Sequence, residues 1–195
     1  MLRRLKKLLS PIIQIKPGNV GRYIRFLKDR RRFQNMPGGN LMPFAEFIPK
    51  LDEKTPLTAV EPHYFYQGLW AFEKILMYKP GEHVDVGAEA NWVGIVTRIT
   101  KVISVDIRPI GVKLDNLEST KGDILHMPFA DNSIFSLSCL HVAEHVGLGR
   151  YGDTLDPLGT QKACRELARV LKSGGNLLFS LPIGKERIAF NAHRI

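Results

Sequence analysis

The sequence has no apolar run of about 18 residues, so no transmembrane helix is expected. It has only two cysteines, Cys139 and Cys164, and neither has a second Cys or His at ligand spacing. That argues against a disulfide framework and a metal centre, and it points to a reducing compartment, the cytoplasm. No uninterrupted apolar core with a small-residue cleavage site is present at the start, so no secretory leader is expected. No G-x-G-x-x-G follows the first apolar run, which disfavours an NAD-type dehydrogenase. Acidic residues are scarce in one place only. Residues 1–35 hold eleven Lys/Arg and a single acid, Asp29.

That local scarcity accounts for the whole net charge. The chain carries +9, the first 35 residues carry +10, and the remainder carries −1. Basicity therefore belongs to an N-terminal arm, and the body is nearly neutral. In "MLRRLKKLLSP", Leu2, Leu5, Leu8 and Leu9 recur at helical spacing among Arg3, Arg4, Lys6 and Lys7. This pattern predicts a short basic amphipathic helix ended near Pro11. "RYIRFLKDRRRF" predicts a second, with Tyr23, Phe26, Leu27 and Arg30 distributed around it. Such an arm suits an anionic membrane surface, here the inner face, or another polyanion; no specific nucleic acid is expected. An arm that is solvated and folds over the body is the equally weighted alternative.

Pro37, Gly38, Gly39 and Pro43 break the pattern, so residues 1–61 read as arm and Pro-rich linker. Residues 62–195 read as the domain. It opens with a helix in which Phe65, Leu69, Phe72 and Leu76 form an apolar stripe, stopped by Lys79-Pro80-Gly81. Short apolar runs then alternate with helical stretches: "HVDVG", "KVISVDI", "SIFSLSCL" and "NLLFSLPI". Trp92, Ile95, Val96 and Ile99 mark one intervening helix. Cys164, Leu167, Ala168 and Leu171 mark another, with Ser173-Gly174-Gly175 as its cap. This alternation predicts an α/β, doubly wound, Rossmann-like sheet, mostly parallel and covered on both faces.

In such a sheet ligands sit beyond the carboxyl ends of the strands, near the reversal of strand order. The residues there are Gly87, Ala88 and Glu89 after the first strand, and Asp106-Ile107-Arg108 after the second. A third short strand is expected to end at "GDILHMPF", giving Asp123 and Ile124. The fourth gives Leu140, His141, Glu144 and His145. Asp106 lies 21 residues after Asp85, where a carboxylate accepts both hydroxyls of a ribose. Asp123 is placed for an adenine amino group, with Ile124 against the ring.

"HVDVG", "VISVDIRP", "KGDILHMPFADNSIFSLSCLHVAEHV" and "ELARVLKSGGNLLFSLP" resemble, in order and spacing, the motifs of class I S-adenosylmethionine-dependent methyltransferases. "EHVGLGRYGDTLDPLG" followed by "GKERIAFNAHRI" resembles more closely a methyltransferase-like family known only as domain of unknown function 268. The resemblance implies S-adenosylmethionine as cofactor, with Asp85, Gly87, Ala88, Glu89, Asp106, Ile107, Asp123, Ile124 and His141 around it. Methyl transfer needs an aligned acceptor and often a base, which assigns Glu144 and His145 as catalytic candidates. Arg150, Tyr151 and Asp153, with Asn191, His193 and Arg194, are the candidates for a small-molecule or sugar acceptor. Two departures stand out. The glycine-rich turn has Glu89 and Asn91 where glycines are expected. Only fourteen residues follow Leu181, too few for the remaining strands of the fold. Both favour, as the alternative, a methyltransferase-like binding module without turnover.

Overall fold

A computed structural model describes residues 18–39, 49–87 and 89–195. The expected helix over residues 1–11, the Pro43 end of the break and Ala88 lie outside the described residues. The chain divides into two compact units between Val60 and Glu61. In the first, helix α1 spans Gly18–Gln34 and ends in a turn where Gly38 has a φ of 82°. Arg22 pairs with Asp52, and residues 49–60 are irregular.

The second unit begins with α2, Pro62–Tyr78, with proline at its first turn. Its amide-lacking ring costs nothing there, because that N–H would be unpaired anyway. The helix ends at Lys79, whose left-handed backbone lets its N–H bond to Ile75 O at 2.9 Å. Strand β1 (Glu82–Val86), helix α3 (Ala90–Val96) and strand β2 (Lys101–Asp106) follow. Next come β3 (Leu117–Lys121), β4 (Ile134–Leu140), a 3₁₀ turn (Ala143–His145), α4 (Gly159–Val170) and β5 (Leu171–Ser180). Two-residue strands β6 (Ile188–Ala189) and β7 (His193–Arg194) make a separate antiparallel ribbon.

The five main strands form one parallel sheet in the order β3-β2-β1-β4-β5. This is a doubly wound, Rossmann-like sheet, and its order reverses between β1 and β4. Alternation along β1 decides which side chains face which layer. Val84 and Val86 join one core with Leu137, Cys139 and the α4 residues Ala163, Leu167 and Val170. On the other face Ala71 and Ile75 of α2 and Val93 and Val96 of α3 pack with Val102, Leu140 and Leu178.

Two local expectations are corrected. The α2 stripe is offset: Phe65, Leu69 and Leu76 are exposed, and the buried pair is Ala71 and Ile75, with Phe72 beside them. The methyl of Ala71 lets the helix approach the sheet closely, which the larger side chains of the expected stripe do not. The third strand is the polar "LESTK", which ends directly before "GDILHMPF", as expected. It is an edge strand, only partly buried, and polar side chains suit that place. Finally, α4 stops at Val170, and Leu171 already pairs with Ile134 of β4. Gly174, with a φ of 76°, sits inside a register shift of β5 instead of capping the helix.

Candidate functional site

The reversal of strand order opens a cleft over the carboxyl ends of β1 to β4. Each strand end contributes a wall. Gly87 comes from β1, Asp106 and Ile107 from β2, Asp123 and Ile124 from the segment after β3, and His141 from β4. His145, Tyr151 and Asp153 close the far side.

Gly87 is required twice over. Its φ is 68°, and a β-carbon there would stand 2.8 Å from Val142 Cγ1. Asp106 accepts the Arg108 N–H through Oδ1 at 2.6 Å, and Asp123 accepts the Leu125 N–H through Oδ1 at 2.9 Å. Each carboxylate is thereby oriented and keeps its second oxygen for a ligand. Ile107 and Ile124 supply apolar surface between the two.

Asp85 does not reach the cleft; it is fully buried. Ser138 Oγ donates to its Oδ1, and Trp92 Nε1 donates to the same oxygen at 3.2 Å. Ser138 Oγ also accepts from His83 Nε2 at 2.9 Å, so His83 Nδ1 must take the Ser136 hydroxyl proton at 2.7 Å. A directed chain of donors thus runs from Ser136 through His83 and Ser138 to the Asp85 carboxylate. Burial lowers the His83 pKa from 6.5 to about 4, so this ring is neutral at physiological pH.

Glu89 also stands away from the cleft. It lines a small separate pocket with Tyr64, Gln67, Gly68, Trp92 and Leu140, and accepts the Asn91 amide at 2.5 Å. Glu89 is therefore directed off the Asp106–Asp123 wall: Glu89 and Asn91 satisfy each other at the start of α3.

His141 has a φ of 55°, a left-handed conformation for a residue with a side chain. Its N–H is held by Ser180, and its Nδ1 lies 3.0 Å from Glu144 Oε1. Glu144 is buried behind the cleft wall, not exposed in it. Its Oε1 is 3.8 Å from His145 Nε2, so one carboxylate serves two cleft histidines. His145 Nδ1 meets the carbonyl of Ala192 at 2.5 Å. A carbonyl only accepts, so Nδ1 carries a proton, and in the neutral tautomer the lone pair is on Nε2.

Asp153 faces its own loop. Oδ2 accepts the N–H of Gly147 at 2.7 Å and of Gly149 at 3.2 Å, and Oδ1 accepts that of Tyr151 at 3.2 Å. Burial pushes its pKa up, but these backbone donors outweigh it and hold the carboxyl below its ordinary value. Arg194 is likewise spent inside the fold. Its guanidinium donates to the carbonyls of Val146 and Asp156 and to Thr160 Oγ1. His193 pairs with Ala189 in the ribbon, and Asn191, with a φ of 59°, forms its turn. These three do not line the cleft, and the ribbon contributes instead through the Ala192 carbonyl. Arg150 lies over the Tyr151 ring, 4.9 Å from its centroid. Arg108, which the sequence places after β2 without a role, lies 4.2 Å from the same centroid.

No cluster of three metal-ligating side chains occurs among the described residues. Burial raises the pKa of both Cys139 and Cys164, which leaves neither thiol reactive.

Residues 87–195, more than half of the chain, match the family model described as "Caenorhabditis protein of unknown function, DUF268". No curated protein matches. Among solved structures the chain is similar to the YcgJ protein of Bacillus subtilis, 22% identical with a TM-score of 0.44, over 58% of this chain and 49% of that one. It is similar to the [4+2]-cyclase SpnF, 16% identical with a TM-score of 0.48, over 64% and 47%. It is also similar to a SAM-dependent methyltransferase of Aquifex aeolicus, 20% identical with a TM-score of 0.35, over 57% and 63%. The chain spans less than two thirds of the length of each.

Proposed function

We propose, on the premise that this chain belongs to the DUF268 family of proteins of unknown function, that it is an S-adenosylmethionine-dependent methyltransferase acting on a small-molecule or sugar acceptor. The observation that carries this reading is the joint placement of Asp106 and Asp123 on one cleft at the reversal of strand order. Two oriented carboxylates with Ile107 and Ile124 between them suit a ribose, an adenine amino group and the adenine ring. Gly87 gives the close backbone approach beside them. The residues present therefore fit the cofactor, and the negative charge of the wall suits a sulfonium.

When bound, S-adenosylmethionine supplies an electrophilic methyl group. Asp106 and Asp123 bind and orient. His145 offers Nε2 as the base that takes the acceptor hydroxyl proton, because the Ala192 carbonyl fixes the proton on Nδ1. Glu144 Oε1, 3.8 Å away, gives a negative charge to the imidazolium so formed. Glu144 is a positioning residue, since it acts through His141 and His145. The reading is tested by incubating the full chain with methyl-labelled S-adenosylmethionine and a panel of sugars and sugar phosphates. Label in an acceptor supports it. Cofactor binding without label in any acceptor favours the binding module.

We propose further that α1 rests on an anionic membrane surface, which places the protein at the cytoplasmic face. Val20, Ile24 and Leu27 follow i, i+4, i+7 spacing and remain 52%, 48% and 41% exposed. Beside this stripe, Lys28, Arg31 and Arg32 line one shallow hollow. An apolar stripe next to cations that have no carboxylate partner among the described residues suits lipid headgroups better than a solvated helix or a nucleic acid. No described helix is long and apolar enough to cross a membrane.

A further inference from the structure

We infer that the acceptor taken by this cleft carries a phosphate group, held by the guanidiniums of Arg108 and Arg150 beside the Tyr151 ring. The inference rests on the reading of the cleft as a methyl-transfer site and names the acceptor class for it. Arg108 follows β2 and lines the cleft, and Arg150 comes from the loop after the 3₁₀ turn. Their Cζ atoms stand 4.2 Å and 4.9 Å from one ring centroid, so Tyr151 brings the two cations together. Paired guanidiniums bind a phosphate through charge-assisted N–H···O bonds of about 2.8 Å.

Neither arginine has a carboxylate partner among the described residues. Arg150 donates to a neutral acceptor, the Ala192 carbonyl, at 3.4 Å. A single guanidinium would satisfy the ring face. A second one nearby adds like-charge repulsion, which an anion between them removes. Two fixed positive charges match a phosphate monoester, which carries about −1.5 to −2 near neutral pH.

Both arginines sit on backbone that is already set. The Arg108 N–H is bound to Asp106. The loop bearing Arg150 and Tyr151 is pinned by Asp153, and it turns at Gly147 with a φ of 80°. A β-carbon on Gly147 would lie 2.1 Å from Asp156 O, so this turn admits no other residue without rebuilding. A backbone already held lowers the ordering cost of binding, which favours affinity.

The test is calorimetric titration of the full chain with inorganic phosphate, glucose 6-phosphate and glucose, in parallel with S-adenosylmethionine. Phosphate and the sugar phosphate are expected to bind and glucose to bind far more weakly. R108A and R150A are each expected to weaken phosphate by about tenfold or more, with partial recovery in R108K and R150K and unchanged cofactor affinity. Both side chains are exposed, so the variants are expected to fold like the parent. Phosphate affinity unaltered in both alanine variants, or no phosphate binding by the parent, overturns the inference. Phosphate that competes with S-adenosylmethionine also overturns it, because the anion then occupies the cofactor position. Phosphate binding without cofactor binding removes the methyl-transfer reading and leaves the anion site standing.

Discussion

The imidazole of His145 donates from Nδ1 to the main-chain carbonyl of Ala192, a residue 47 positions further along the chain. That one bond settles which ring nitrogen faces chemistry. The expected spectrum of the full chain shows His145 as the Nδ1–H tautomer in a nitrogen-resolved imidazole experiment at neutral pH. His145→Asn keeps a donor toward Ala192 and removes the lone pair of Nε2. Methyl transfer by this variant is expected to fall by about 10²–10⁴, with cofactor affinity kept. Transfer at the parent rate would remove His145 from the mechanism.

Gly87 is fixed by conformation and by space together. Gly87→Ala is expected to cost on the order of 1–3 kcal/mol, because a β-carbon meets Val142 at 2.8 Å. Val142 is β-branched, which restricts its choice of rotamer. Adding Val142→Ala should therefore recover part of the loss. Urea unfolding of the two single variants and the double variant measures this coupling. Simple additivity would mean that the contact does not limit the site.

The buried His83 ties stability to acid. Its folded pKa of about 4 lies below the ordinary 6.5. Above 6.5 neither state binds the proton, and the ring has no pH-dependent effect. Between 6.5 and about 4 the unfolded chain takes a proton that the folded chain refuses, so stability falls with pH by up to about 3 kcal/mol. Unfolding of the parent and of His83→Phe across that window isolates the effect. The variant is expected to lose this slope, even if it is less stable at every pH. An identical slope in both proteins would show that His83 is not the group responsible.

The α1 stripe predicts salt-sensitive binding to vesicles that contain phosphatidylserine. Ile24→Asp with Leu27→Asp should abolish the apolar part, and Arg31→Glu with Arg32→Glu the electrostatic part, at about 1 kcal/mol per basic side chain. Cosedimentation of the full chain with anionic and neutral vesicles reads both. Equal binding of parent and variants would end the membrane proposal.

Much of the site is legible in the sequence, for a definite reason. Asp106 and Asp123 follow directly from strand ends, and a parallel sheet brings all strand ends to one edge. Gly87 is legible because a left-handed turn without a β-carbon admits little else. What is not legible is the direction of a side chain. Asp153 and Arg194 stand beside the cleft in sequence terms, yet unpaired N–H groups and carbonyls nearby claim them. Asp85 occupies the expected place, but Ser138 and Trp92 draw it into the core. Arg108 was within reach of the same strand-end argument, and its role appears only once the fold carries Tyr151 to it. The offset of α2 has a similar cause: helical spacing gives the period, and the sheet selects which stripe is buried.

The central claim is that the Asp106–Asp123 cleft holds S-adenosylmethionine, and calorimetric titration of the full chain tests it most directly. Saturable binding is expected for S-adenosylmethionine and S-adenosylhomocysteine, lost in Asp106→Ala and weakened in Asp123→Ala. No heat at millimolar cofactor, or equal affinity in parent and Asp106→Ala, would contradict it.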